Sequence, residues 1–343
     1  MRQHITVLLS FLLLLAAAAG CSRLDHDQDE TGDLSQRGWM ASLDDESRIC
    51  CLAIPGTHDS FTYNAPAVTA RWAQTQVLDI TDQWAAGVRS FDIRVDAGSL
   101  NLCHSSVNLR ISLADALGLI NRQLRENQSE CAIIIIRIES GKETGEAKEK
   151  INRTILGSFD AIASWRPGLT LGEARGKAIV IYRYALPAGV EPLGPSASGF
   201  GNNDHSQRLT QESGGATLSA EFWVQDCYSP DGGSNDDFWK RKQSLMSDNF
   251  NYMRVLAREG NPDNVWAVNH ASAYAGSGIT MNYPRNASTM NAWTLQWYQL
   301  TDSRFPGIIP MDFAGVNVSL NGWRTAGSYL PEAIIANNRI KIQ

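Results

Sequence analysis

Arg89-Ser-Phe-Asp-Ile-Arg-Val-Asp96 alternates apolar and charged residues, so that Phe91, Ile93 and Val95 share one face of an extended strand and Asp92 and Arg94 the other. Ala132–Ser140, A-I-I-I-I-R-I-E-S, repeats the device: an apolar run, then Arg137 and Glu139 two apart on one face. Working outward from Val88–Val95 and Ala132–Ile138, runs of the same strand character lie at Cys51–Ile54, Ala178–Tyr182, Phe222–Val224, Val265–Asn269 and Ile308–Phe313. Ser112–Asn127, which opens with the cap S-L-A-D, and Asp237–Arg258 have the periodicity of amphipathic helices. Strands alternating with helices imply parallel pairing through right-handed crossovers, and this number of strands fits one barrel better than two domains. The expected fold is α/β, a single irregular TIM-type (β/α) barrel with parallel strands. Pro187–Gly215, rich in Gly, Pro, Ser and Asn, reads as a long loop.

The N-terminal end has a different character. Residues 1–20 carry Arg2 and then the apolar run Val7–Ala19, too short to span a bilayer comfortably and ending in small residues like a secretory signal. L-L-A-A-A-A-G-C resembles a bacterial lipoprotein signal in which Cys21 becomes the lipidated first residue. Residues 21–37 contain D-H-D-Q-D-E and no apolar period, and read as a flexible tether. The folded barrel is expected over 38–343. These features imply a bacterial cell-envelope lipoprotein, periplasmic or cell-surface, anchored through Cys21 and otherwise a monomer. The net charge is -6 and would be -7 without residues 1–20, which argues against nucleic acid as a partner and against general attraction to anionic membranes. Cys50, Cys51, Cys103, Cys131 and Cys227 cannot all pair and show no C-x-x-C spacing with histidines. Most are read as small buried residues, with one disulfide left open.

In a parallel barrel the working side chains sit at the carboxyl ends of the strands. The first strand runs into P-G-T-H-D-S, placing His58 and Asp59 there; Asp92 and Arg94 follow on the second, and L-N-L-C-H-S brings His104. Arg137 and Glu139, Arg183 in I-V-I-Y-R-Y, Asp226 and Tyr228 in W-V-Q-D-C-Y, and Asp312 in I-I-P-M-D-F-A-G continue the series. Any one of these charges could belong to a structural ion pair, and a lone histidine is more often structural than catalytic. The recurrence on strand after strand, flanked by two histidines, points instead to one mouth built for a polyhydroxylated, phosphorylated ligand. His4, His26, His205 and His270 are assigned no chemistry, although His270 closes a strand after W-A-V-N.

P-G-T-H-D-S, F-D-I-R-V and L-C-H-S, followed in order by L-G-E-A-R-G-K, V-Q-D-C-Y and P-M-D-F, make the chain from about Trp39 onward similar to the bacterial phosphatidylinositol-specific phospholipases C. The resemblance implies cleavage between diacylglycerol and phosphate, giving inositol 1,2-cyclic phosphate and then, more slowly, inositol phosphate. It implies His58 as general base oriented by Asp312, His104 as general acid partnered by Asp59, and Arg94 on the phosphate, steadied by Asp92. It places the head group against Arg137, Glu139, Arg183, Asp226 and Tyr228. Arg137 departs from the family pattern, which has lysine there. No cofactor is expected, and no metal: the vicinal hydroxyl is an internal nucleophile, and Arg94 stands where calcium-dependent relatives use a cation. The expected substrate is phosphatidylinositol or a glycosylated phosphatidylinositol anchor at a membrane surface, which Trp72, Trp239, Trp293 and Trp297 are candidates to touch. The alternatives are a metal-dependent glycerophosphodiester phosphodiesterase on the same fold and a surface lipoprotein that binds inositol or glycan head groups without turnover.

Overall fold

The computed structural model describes residues 29–200, 207–211, 218, 220–276 and 281–340. The expected signal peptide, Cys21, and the tether as far as residue 28 lie outside them, as do His4, His26 and His205. Among the described residues no helix is long and apolar enough to cross a membrane.

Seven parallel strands form one curled sheet: β1 Ala53–Thr57, β2 Ser90–Asp96, β3 Ala132–Ser140, β4 Ala178–Tyr182, β5 Ala220–Gln225, β6 Trp266–Asn269 and β7 Gly307–Met311. Their order across the sheet is β4-β3-β2-β1-β7-β6-β5. Among the described residues no ladder joins β4 to β5, so the barrel is open there, and the segment around Ser196 runs beside β4, with Ala197 N–H donating to Tyr182 O and Tyr182 N–H to Pro195 O. This is the irregular α/β barrel expected. The stretch read as a loop between β4 and β5 also contains a strand, Gln207–Gln211, antiparallel to β5.

Side-chain parity divides the sheet into two faces. Ile133, Ile135, Ile179, Ile181, Phe222, Val224, Trp266, Val268, Ile308 and Ile54 pack together across the barrel interior. The other parity, including Phe91, Ile93, Ile134, Ile136 and Val180, meets the helices. Helix α1, Leu113–Glu126, buries Leu113, Ala116, Leu117, Ile120 and Leu124 against that outer face, the spacing of a single helical stripe. Its cap Ser112 accepts from Asp115 N–H at 3.1 Å, a contact typically worth about 1 kcal/mol. Helix α2, Gly145–Ser158, adds Ile151 and Ile155; α3, Asn235–Arg258, and α4, Tyr283–Gln299, cover β5 to β7; α5, Leu330–Asn337, follows β7.

The fold begins before residue 38. Glu30–Thr31 pairs antiparallel with Val316–Asn317, and the 3-10 segment Gln36–Ser42 buries Trp39 and Met40. The reason is a buried cation. Arg89 bonds Glu130 Oε2 through Nε at 2.9 Å, and its Nη2 donates to the carbonyls of Gln36 and Arg37 at 3.1 and 2.6 Å. A fully buried guanidinium needs every donor satisfied, and part of the stretch read as tether supplies acceptors for it.

Candidate active site

Continuing the inward parity past the apolar layer gives, strand by strand, His58 after β1, Asp92 and Arg94 on β2, Arg137 and Glu139 on β3, Arg183 after β4, Asp226 after β5, His270 after β6 and Asp312 after β7. The interior thus turns from apolar to charged at the carboxyl end. His104 comes from elsewhere: it ends Asn101–His104, which pairs antiparallel with β2 and forms a hairpin with Val107–Ser112.

The two histidines converge. His58 Nε2 and His104 Nε2 each lie 3.4 Å from the same oxygen, Asp59 Oδ2, which is buried and has no hydrogen bond. The other Asp59 oxygen is 2.7 Å from Arg94 Nε. Arg94 also reaches Asp92 Oδ2 through Nη2 at 3.1 Å and Glu139 Oε2 through Nη1 at 3.5 Å; Arg137 Nε is 3.1 Å from Glu139 Oε2. Behind His58, Nδ1 meets Asp312 Oδ1 at 2.8 Å, and Ala273 N–H donates to Asp312 Oδ2 at 3.3 Å. A cleft of about 150 Å³ opens over these groups, lined by His58, Arg94, His104, Arg137, Glu139 and Asp226 together with Tyr228, Tyr274 and Tyr283. A larger groove of about 540 Å³, around Phe159 and Trp165, offers only Asp160 and Glu191 as charged groups and has no comparable chemistry.

Three placements differ from the sequence reading. Arg183 does not line the cleft; it sits a layer below, 3.2 Å from Asp226 and stacked over Phe200 at 3.9 Å, so it supports Asp226. Tyr283 was not a candidate, because it opens α4 and does not end a strand, yet its hydroxyl is 3.1 Å from His104 Nε2. His270, assigned no chemistry, is buried with its ring 6.3 Å from that of His58 and its Nδ1 3.0 Å from Ser272 Oγ.

Burial dominates the electrostatics. It holds His58 well below the ordinary histidine range, helped by the Arg94 charge, and takes His104 down to about 3 for the same two reasons. His270 is lowered to about 4, again by burial. Burial raises Asp59, with Asp92 and Glu139 adding to it and Arg94 opposing. Asp92 goes the other way: burial pushes it up, but Arg94, His58, Arg183 and His270 together hold it below the usual carboxylate range. His58, Asp59 and Asp92 each offer an atom within 4.8 Å of the others, the single such grouping among the described residues. The Arg94 guanidinium bonds both of these carboxylates and would repel a divalent ion beside them.

Groups arranged in this way can take a proton at one imidazole, deliver one at the other, and balance negative charge between them. No family model matches the chain. It is similar to the 1-phosphatidylinositol phosphodiesterase of Listeria monocytogenes, 35% identical over 158 residues, which span 43% of this chain and 49% of that protein. It is also similar to the 1-phosphatidylinositol phosphodiesterase of Staphylococcus aureus, 26% identical over 320 residues, 88% of this chain and 91% of that protein. Among solved structures, a Staphylococcus aureus phosphatidylinositol-specific phospholipase C superposes with a TM-score of 0.71 at 21% identity, covering 90% of this chain and 99% of its own. The Listeria monocytogenes enzyme gives 0.65 at 24% identity, over 89% and 99%.

Proposed function

We propose that the chain belongs with the bacterial phosphatidylinositol-specific phospholipases C it resembles in sequence and fold, and that it cleaves phosphatidylinositol, free or as a glycosylated anchor, between diacylglycerol and phosphate. The observation that carries this reading is the convergence of His58 Nε2 and His104 Nε2 on one point beside Arg94.

In the proposed reaction His58, unprotonated because it is buried, takes the proton of the inositol 2-hydroxyl at Nε2, while Asp312 fixes the ring through Nδ1. The hydroxyl oxygen bonds to phosphorus and the bond from phosphorus to the diacylglycerol oxygen breaks. His104 protonates that departing oxygen, and inositol 1,2-cyclic phosphate results. Arg94, held by Asp59, Asp92 and Glu139, meets the charge that grows on the phosphoryl oxygens. Arg137, Glu139, Asp226 and Tyr228 line the place of the inositol hydroxyls, and Arg183 braces Asp226 from below. No metal has a part in these steps. Phosphorus NMR of a phosphatidylinositol digest tests the scheme: the cyclic phosphate should form equally with and without EDTA and be lost in His58→Ala and in His104→Ala. Loss of product in EDTA with recovery on adding a divalent ion would instead support the metal-dependent phosphodiesterase, and binding without turnover the non-enzymatic lipoprotein.

The proposal includes a place at the bacterial envelope, with residues 1–20 removed as a signal, Cys21 lipidated and the enzyme acting as a monomer on a membrane surface; the motif L-L-A-A-A-A-G-C supports this. Trp72, half exposed beside the exposed Val68, supports contact with lipid, whereas Trp239, Trp293 and Trp297 pack against the core. Labelling with a radioactive fatty acid should mark the wild type and not Cys21→Ser. Trp72→Ala should further weaken vesicle binding of the unlipidated protein. Label retained without Cys21 would refute the anchor.

A further inference from the structure

Cys50 and Cys51 lie at the opposite end of β1 from His58, in the 3-10 turn Ile49–Cys51 that leads into the strand. Their sulfurs are 4.0 Å apart. One side-chain amide faces both: Asn261 Nδ2 is 3.6 Å from Cys50 Sγ and 3.9 Å from Cys51 Sγ, and is itself fixed by the backbone of Val265 at 3.0 Å. Cys50 is buried and Cys51 is partly exposed. The proposed lipid chemistry uses neither thiol.

We propose that Cys50 and Cys51 form a dithiolate site for a soft, thiophilic monovalent cation of the Cu(I) class. Two thiolates roughly 2.3 Å from one ion are roughly 4.0 Å apart at a trigonal angle, the span this turn already holds. A disulfide would need the sulfurs about 2.0 Å apart. Adjacent cysteines reach that only by twisting the peptide between them, at the cost of the Cys51 N–H bond to Arg48 O at 2.9 Å and the Leu52 N–H bond to Ile49 O at 3.0 Å. Zinc prefers four ligands, and among the described residues no third His, Cys, Asp or Glu joins the pair. Soft cations accept two or three sulfur donors, and thiolates select them.

Loading breaks two S–H bonds, forms two sulfur–metal bonds and releases two protons, leaving a complex with one negative charge. The surroundings suit that charge. The Asn261 side-chain amide, directed at both sulfurs, presents its N–H groups to that charge. Cys51 gives the ion its path from solvent and leaves a third position for an outside donor.

The test uses the full chain, reduced and metal-free under nitrogen, given Cu(I) as its acetonitrile complex in competition with a chromophoric Cu(I) chelator. The wild type should withhold one ion per chain more than either Cys51→Ser or Cys50→Ser. X-ray absorption of the loaded wild type, which requires no variant to fold, should show sulfur neighbours, and loading should raise the melting temperature. Equal retention by Cys51→Ser, a copper environment of nitrogen and oxygen alone, or conversion of the pair to a disulfide that holds no copper would each overturn the proposal.

Discussion

His104 must hold a proton to act as an acid, yet burial and Arg94 take it to about 3 in the unliganded protein. A phosphodiester anion placed beside it reverses the balance, because a negative charge favours imidazolium and offsets the guanidinium. Nitrogen-15 NMR of the histidines should therefore show His104 neutral throughout the ordinary histidine range, and a bound inositol phosphate should raise its titration point. An ordinary midpoint in the free protein, unmoved by the ligand, would contradict this. Asp59 shows a second residue-scale constraint. It sits at φ 46°, outside the usual range for a residue with a side chain, and is kept there by its N–H bond to Asp92 Oδ2 at 3.2 Å and by Thr62, whose N–H and hydroxyl both donate to its carbonyl. That turn sets one oxygen between the histidines and the other on Arg94.

The seam between β1 and β7 is where strands become a site, since His58 and Asp312 follow directly from their ends. Gln76 stitches it: Nε2 donates to His58 O at 3.0 Å and to Met311 O at 2.8 Å, and Oε1 accepts from Ala314 N–H at 3.1 Å. Gln76→Ala is expected to cost about 1–3 kcal/mol, because it strips partners from buried backbone groups. Turnover should fall with it as the His58–Asp312 geometry loosens. Urea unfolding and the initial rate check both, and a variant with wild-type stability would show the seam holds without this side chain. All seven parallel strands of the sheet were legible because each carries a run of apolar residues. Gln207–Gln211 was not, because Q-R-L-T-Q has one apolar residue and owes its extension to pairing with β5. Tyr283 escaped for a related reason: rules that search strand ends do not find a residue brought to the cleft by the first turn of a helix.

Across the whole molecule, the charged mouth at one end of the barrel is balanced by a buried ion pair at the other, where Arg89 and Glu130 tie β2, the start of β3 and the N-terminal segment together. Glu130→Ala leaves the Arg89 guanidinium buried without its carboxylate and should cost about 3–5 kcal/mol, seen as a lower midpoint in thermal unfolding. A loss under about 1 kcal/mol would mean that water or the carbonyls of Gln36 and Arg37 suffice. What the sequence determined by itself was the seven parallel strands, the inward parity of Asp92, Arg94, Arg137 and Glu139, and the presence of two histidines near strand ends, because alternation and turn chemistry are local properties of the chain. Tertiary structure alone decided that His58 and His104, 46 positions apart, share one oxygen of Asp59, that Arg183 braces the site from below without facing it, and that Glu30–Thr31 is part of the fold. Those outcomes depend on how the sheet curls and which buried charges must find partners, and both are settled by contacts between segments far apart in the chain.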